Sequence, residues 1–172
     1  MSTPDELDAL AGLLGSRTAT ITPNAISAAI VAELRERLAR IGYRRYALLD
    51  RGSYEYLDDA LDAGRARALF GDAIGPVRAL RLGPGDYLLA HHDHLHDHRQ
   101  VELVLDVSAA AVPGAEVHYR RRGQLFHRAP SQPGALSTVE RDGAVTCHHT
   151  YVSRRYPAAE IVRLVARRQP GR

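Results

Sequence analysis

Gly85-Asp86-Tyr87-Leu88-Leu89-Ala90-His91-His92-Asp93 is the stretch on which the fold turns. A Gly-Asp turn leads into a short apolar run that reads as a strand and ends in a cluster, His91-His92-Asp93-His94-Leu95-His96-Asp97-His98. Alternate residues of an extended chain share a face, so His91 and Asp93 would project together. One imidazole and one carboxylate on a face, completed by a distant histidine, form the ligand set that holds non-haem Fe(II) with open coordination positions. His148 and His149 are the two candidates for that distant ligand, and only a returning sheet brings them alongside. Other readings compete. The cluster also suits a solvated His-rich loop that binds metal adventitiously, or a cupin-type site using His94, His96 or His98 in place of Asp93. A thiol nucleophile at Cys147 is disfavoured, because neighbouring strand residues face opposite ways and nothing marks an oxyanion hole.

Outward from this stretch, the chain from residue 77 is a series of short β-type runs broken by Gly and Pro: VRALRL, DYLLAHHDH, QVELVLDVS, AEVHYR, ALSTVE, AVTCHHTYV and AEIVRLVARR. Such a series predicts an antiparallel sandwich or barrel. The N-terminal part reads differently. A β-prone TATI over 18–21 precedes a helix whose apolar residues are Ile26, Ile30, Leu34, Leu38 and Ile41, with Asn24 as N-cap and Gly42 as stop. Residues 43–49 read as a strand and 58–70 as a second helix. The expectation is one domain, with 1–76 a helical support region and 77–168 the β body.

The 172 residues carry 23 Lys and Arg against 20 Asp and Glu, a formal charge of +3. Every basic residue is Arg, and they are scattered apart from Arg120-Arg121-Arg122 and Arg167-Arg168, so both runs read as solvated surface and nucleic acid is disfavoured as a partner. One cysteine excludes an internal disulfide framework. No apolar run approaches the ~20 residues of a membrane span, and MSTPDELDALAGLLG has acids where a secretion signal has basic residues. These features set the expectation of a cytoplasmic protein.

The segment 85–93 resembles the G-x-F/Y-L-x-x-H-x-D motif of the Fe(II)- and 2-oxoglutarate-dependent dioxygenases, in particular the prolyl-hydroxylase-like branch. The likeness continues in order: VELVLDVS resembles the strand after the metal motif, Gly114-Ala115-Glu116-Val117 the G-G-E-L turn, and Pro133-Gly134-Ala135-Leu136 the strand before the distal histidine. It covers roughly residues 77–168. It implies a mainly β (α+β) fold, a double-stranded β-helix or jelly roll like that of the cupins, with the N-terminal helices packed on one sheet.

The resemblance further implies that His91, Asp93 and His149 hold Fe(II), with His148 the alternate third ligand. His149 shares its strand face with Val145, Cys147 and Tyr151. The far carboxylate of 2-oxoglutarate would pair with Arg163, with Arg154 and Arg155 in reserve. The chain has Leu82 where members of that family have a tyrosine, so Tyr87, Tyr119 or Tyr151 would supply the hydroxyl, and Tyr87 is the first choice. The implied activity uses O2 to hydroxylate a C–H bond of a small molecule, an amino acid or biosynthetic intermediate, releasing succinate and CO2. Two alternatives are a cupin-like metalloenzyme independent of 2-oxoglutarate and a non-catalytic metal- or ligand-binding protein on the same scaffold.

Overall fold

A computed structural model describes residues 19–91 and 99–168, with His91 described by its backbone alone. Asp93, the remaining histidines of the 92–98 cluster and the acidic N-terminal segment lie outside the described residues.

The first strand, β1 (Ala19–Thr22), precedes helix α1 (Ala28–Ile41). Ser27, not Asn24, caps this helix by accepting from the Ile30 amide, while Asn24 occupies a turn at φ 52°. The buried stripe is Val31, Leu34 and Leu38, whereas Ile30 and Ile41 are 40% and 51% exposed. The helix is thus rotated by about one position from the expected stripe. Next come β2 (Arg44–Leu48) and β3 (Gly52–Leu57), an antiparallel hairpin, then α2 (Ala63–Phe70), capped by the Asp62 carboxylate on the Arg65 amide. The second helix was expected from residue 58. It starts later because Asp59 turns at φ 50° and the chain before it belongs to β3.

The remaining strands are β4 (Arg78–Leu82), β5 (Tyr87–His91), β6 (Gln100–Asp106), β7 (Val117–Arg121), β8 (Gln124–Ala129), β9 (Leu136–Arg141), β10 (Val145–His149) and β11 (Ile161–Arg168). All seven expected runs are strands. β8 was not expected; it follows a tight turn in which Arg122 and Gly123 both have positive φ, the backbone signature of a two-residue hairpin. The support region is not purely helical either, since β1, β2 and β3 all join the sheet.

The sheet runs β1-β9-β6-β11-β4-β3-β5-β10-β7-β8, with β2 added beside β3 and every pairing antiparallel. It folds back on itself. In a flat sheet β6 and β7, six places apart, would lie ~29 Å from each other, yet the Tyr119 hydroxyl on β7 donates to Glu102 on β6 at 2.9 Å. β9, β6, β11 and β4 form one layer and β5, β10, β7 and β8 the other, the double-stranded β-helix arrangement. Alternate residues of the first layer, among them Leu103, Leu105, Val162, Leu164 and Ala166, pack outward against α1 and α2. Their neighbours Val104 and Val165 face inward against Val117, Tyr119, Val145 and Cys147. Burying both layers' apolar faces this way is what holds the fold, at roughly 25 cal/mol per Å² of apolar surface removed from water. Among the described residues, no helix is long and apolar enough to cross a membrane.

Candidate metal and carboxylate site

β10 separates the two candidate histidines by simple alternation. Val145, Cys147 and His149 are all nearly or fully buried on the inner face. His148 lies on the other face, where its ring meets that of His118 edge-on at 5.8 Å, and His118 in turn sits 2.6 Å from the Glu116 carboxylate. The pairing of β10 with β5 sets His91 opposite Cys147 and Leu88 opposite His149. Three steps along β5 match two along β10, so a bulge lies between them.

Cys147, His149, Leu80, Leu88 and Val165 line a cavity of about 1060 Å³ between the layers, together with Tyr54 and Arg167. Among the described residues, no three His, Cys, Asp or Glu side chains gather to hold a metal. Of His91, Asp93 and His149, only His149 has its side chain described, and the backbone of His91 lies opposite Cys147, two residues along the strand from it.

Arg163 sits on the inner face of β11 and is 2% exposed. Its Nη1 lies 3.0 Å from His149 Nδ1, and its Nη2 donates to the Ala115 carbonyl at 2.8 Å. β10 and β11 are four places apart, ~19 Å in a flat sheet, so this contact exists only because the layers close. Among the described residues the guanidinium touches no carboxylate. Burial pulls its pKa below the ordinary arginine value, while the charges of Asp106, Tyr119 and Cys147 work the other way. A buried cation with only neutral partners is costly unless an anion joins it.

The other expected co-substrate residues are elsewhere. Tyr87 pairs with Ser53 on β3, is half-buried, and is not among the residues that line the cavity. Tyr151 is exposed, and Tyr119 is fully buried with its hydroxyl given to Glu102. Arg154 and Arg155 are exposed; the Arg154 guanidinium lies over Gly85, where an added Cβ would stand 3.0 Å from its Nε. Leu82 is the cross-strand partner of Ile161, so an apolar pair occupies that level of the barrel. Arg121 ion-pairs with Asp142 at 2.9 Å and Arg122 forms the hairpin turn, in keeping with the surface reading of that run.

Sequence reasoning missed an inner charged network. Glu102, 2% exposed, accepts from Tyr119, from Arg141 Nη1 at 2.5 Å and from Arg167 Nε at 3.2 Å. The available signal was a glutamate inside the apolar run VELVLD. Asp86, within the motif itself, is also buried. It accepts Nη1 of Arg45 at 2.8 Å and Nη2 at 2.5 Å, together with the Ser53 hydroxyl and the Gly83 amide. It ties the β2–β3 hairpin to the turn that launches β5. Burial opposes the charge, but these donors hold the carboxyl below its usual range.

No protein-family model matches the chain, and no curated protein matches it by sequence. Solved structures do resemble it. A prolyl-4-hydroxylase from Pseudomonas putida superposes with a TM-score of 0.67 at 16% identity, over 95% of this chain and 99% of that one. A collagen prolyl hydroxylase from Paramecium bursaria Chlorella virus-1, in complex with 2-oxoglutarate, gives 0.64 at 12% identity over 88% and 96%. A non-haem α-ketoglutarate-dependent epimerase of nogalamycin biosynthesis gives 0.61 at 14% identity over 98% and 87%. The chain therefore has the double-stranded β-helix fold found in these 2-oxoglutarate oxygenases.

Proposed function

We propose that the protein is an Fe(II)- and 2-oxoglutarate-dependent oxygenase that hydroxylates a C–H bond of a small molecule. The observation that carries this reading is the buried Arg163 guanidinium, held beside His149 with no carboxylate in contact among the described residues. A planar guanidinium matches a carboxylate bidentately, and a dicarboxylate is the anion that fits a cation set behind a metal-binding imidazole. The donor chemistry fits iron as well: His149 lines the cavity, and the backbone of His91 lies opposite Cys147, two residues along the same strand. His91, Asp93 and His149 would hold the metal, and Arg163 the far carboxylate of 2-oxoglutarate.

Bound there, the metal with 2-oxoglutarate and O2 would supply the oxidant for hydroxylation, with succinate and CO2 released. The chain's own residues do the rest. Arg163, which is buried behind His149 and is not itself among the residues that line the cavity, would fix the dicarboxylate against the ring it already touches. Leu80, Leu88, Cys147 and Val165 supply apolar wall beside His149, and Gln100, Glu102 and Arg167 supply polar wall to the same cavity. The cavity is of a size that holds a small molecule. The nogalamycin epimerase shows that this fold serves small-molecule biosynthesis, and the prolyl hydroxylases that it also serves proline residues. A single domain working in the cytoplasm belongs to the same reading.

The test is anaerobic. Fe(II) and then 2-oxoglutarate are added to metal-free protein, and the weak visible charge-transfer band of the chelate is followed. The band is expected in the wild type, absent in Asp93→Ala and weakened in Arg163→Ala. Tight iron binding with no band would replace this reading by a cupin-like metalloenzyme, and no iron binding would leave a binding protein on the scaffold.

A further inference from the structure

The cavity wall has a second polar level, away from Arg163. Arg163, Val165 and Arg167 alternate along the inner face of β11, which sets the Cα atoms of the two arginines ~13 Å apart. Arg78 on β4 lies opposite Val165, and Glu102 on β6 lies opposite Arg167. Arg78 and Gln100 are therefore diagonal neighbours of Arg167 on the same face, one on each side, and all three line the cavity. Arg78 gives Nε to Asp58 at 2.8 Å, in a pair more than half exposed on both sides, and lies 5.6 Å over the Tyr56 ring. Its two η nitrogens make no hydrogen bond among the described residues. Gln100 Oε1 is buried and accepts none either, a cost that an arriving donor removes. Arg51 lines the same cavity without an ion pair among the described residues. Tyr54 marks where the two arginines meet: burial raises its hydroxyl pKa, and the charges of Arg78 and Arg51 both pull it back. Its ring stacks on Tyr46 at 5.8 Å and supplies an aromatic stretch of the cavity wall. Of the acids lining the cavity, Asp58 serves Arg78, Glu102 serves Arg141 and Arg167, and Asp59 is exposed.

We propose that Arg78, Arg51 and Gln100 determine substrate specificity, and that the substrate is a small carboxylic acid with a flat apolar body and a hydroxyl or amino group close to its carboxylate. This deepens the oxygenase reading and rests on it for the chemistry. The carboxylate takes the η nitrogens of Arg78, a planar fork that matches it, with the charge of Arg51 alongside. The hydroxyl or amino group donates to Gln100 Oε1. The apolar body lies against Tyr54, a rigid face that costs little ordering entropy. Arg163 remains with the co-substrate at its own level of β11. The cavity thus takes two anions, each with its own guanidinium, and a neutral analogue of the substrate leaves Arg78 and Arg51 without an anion.

The experiment is calorimetric titration of the Mn(II) protein, saturated with 2-oxoglutarate, with phenyllactate and three relatives. Phenyllactamide removes the charge, phenylpropionate removes the hydroxyl, and phenyl phosphate changes the anion. Phenyllactate should bind, with phenyllactamide and phenylpropionate each about tenfold weaker. Arg78→Leu should bind phenyllactate about tenfold more weakly and no longer prefer it to the amide. Gln100→Leu should bind phenyllactate and phenylpropionate alike. Arg78→Gln and Gln100→Ala provide the same comparisons if the leucine variants do not fold. No binding of phenyllactate, equal affinity for acid and amide, affinity unchanged in both variants, or tighter binding of phenyl phosphate overturns the inference and leaves the oxygenase reading standing. Failure of the Mn(II) protein to bind 2-oxoglutarate overturns that reading instead. The same titrations of metal-free Arg163→Leu, which lacks the other buried guanidinium, then decide whether Arg78 and Gln100 select the acid.

Discussion

Arg163 on β11 and Asp106 on β6 are cross-strand partners, yet they do not form an ion pair. The Asp106 carboxylate is committed to the chain instead, accepting the Ser108 amide on Oδ1 and the Gln132 amide on Oδ2, both at 2.8 Å. By organising two loops at that end of the barrel, Asp106 leaves the neighbouring guanidinium without a carboxylate partner among the described residues.

On the proposed reading, Arg163 is the residue on which co-substrate affinity would depend. In Mn(II)-loaded protein, calorimetry should show Arg163→Leu binding 2-oxoglutarate about 100-fold more weakly, the scale of removing one partner of a buried charge pair. Arg154→Leu and Arg155→Leu, at exposed positions, should bind it as the wild type does.

Asp86 ties the hairpin to β5 through Arg45, Ser53 and Gly83, and its removal should be felt as stability. Asp86→Ala is expected to cost about 2 kcal/mol in urea unfolding, the scale of a lost charge-assisted hydrogen bond. Because its carboxyl is held below the usual range in the folded protein, its contribution is present above that range and is lost as pH falls through it. Wild-type stability should therefore decline below about pH 4, and Asp86→Asn should flatten that decline while being less stable at neutral pH.

Gly52 lies where β3 crosses β5, at φ 119°, and a Cβ there would stand 2.3 Å from the Tyr87 carbonyl oxygen. Substitution must push two backbones apart as well as strain φ. Gly52→Ala should lower stability by about 2–4 kcal/mol, and amide exchange should rise first at Tyr87 and Leu88.

Glu102 pairs with the buried Arg141 and the half-buried Arg167, and its loss removes a shared carboxylate from both. Glu102→Ala is expected to cost about 3–5 kcal/mol. Glu102→Gln, which keeps an acceptor for Tyr119, should cost less, and comparison of the two by chemical denaturation checks the assignment.

The β runs were legible because each is bounded by Gly or Pro and carries β-branched residues. The two sides of β10 were legible because Val145, Cys147 and His149 alternate with Thr146 and His148. β6 and β11 hid more. Both faces of these strands are buried, one by helices and one by the opposite layer, so their apolar pattern is continuous and does not show which side is inner. That is why Glu102 went unread within its apolar run. The bulge was not legible either: Leu88, and not Tyr87, is the residue in register with His149. β3 and β8 were missed because GSYEYL and QLFHRA mix polar and aromatic residues on half-exposed strands.

Decarboxylation of 2-oxoglutarate without added substrate tests the central claim most directly, because it needs neither the substrate nor its product to be known. With [1-14C]-2-oxoglutarate, Fe(II) and O2, the wild type should release labelled CO2. His149→Ala and Asp93→Ala should abolish the release, while His148→Ala, altered on the outer face beside His118, should retain it. Release that survives in His149→Ala, or is lost equally in His148→Ala, would contradict the site. An iron-loaded wild type that releases none would contradict the oxygenase itself.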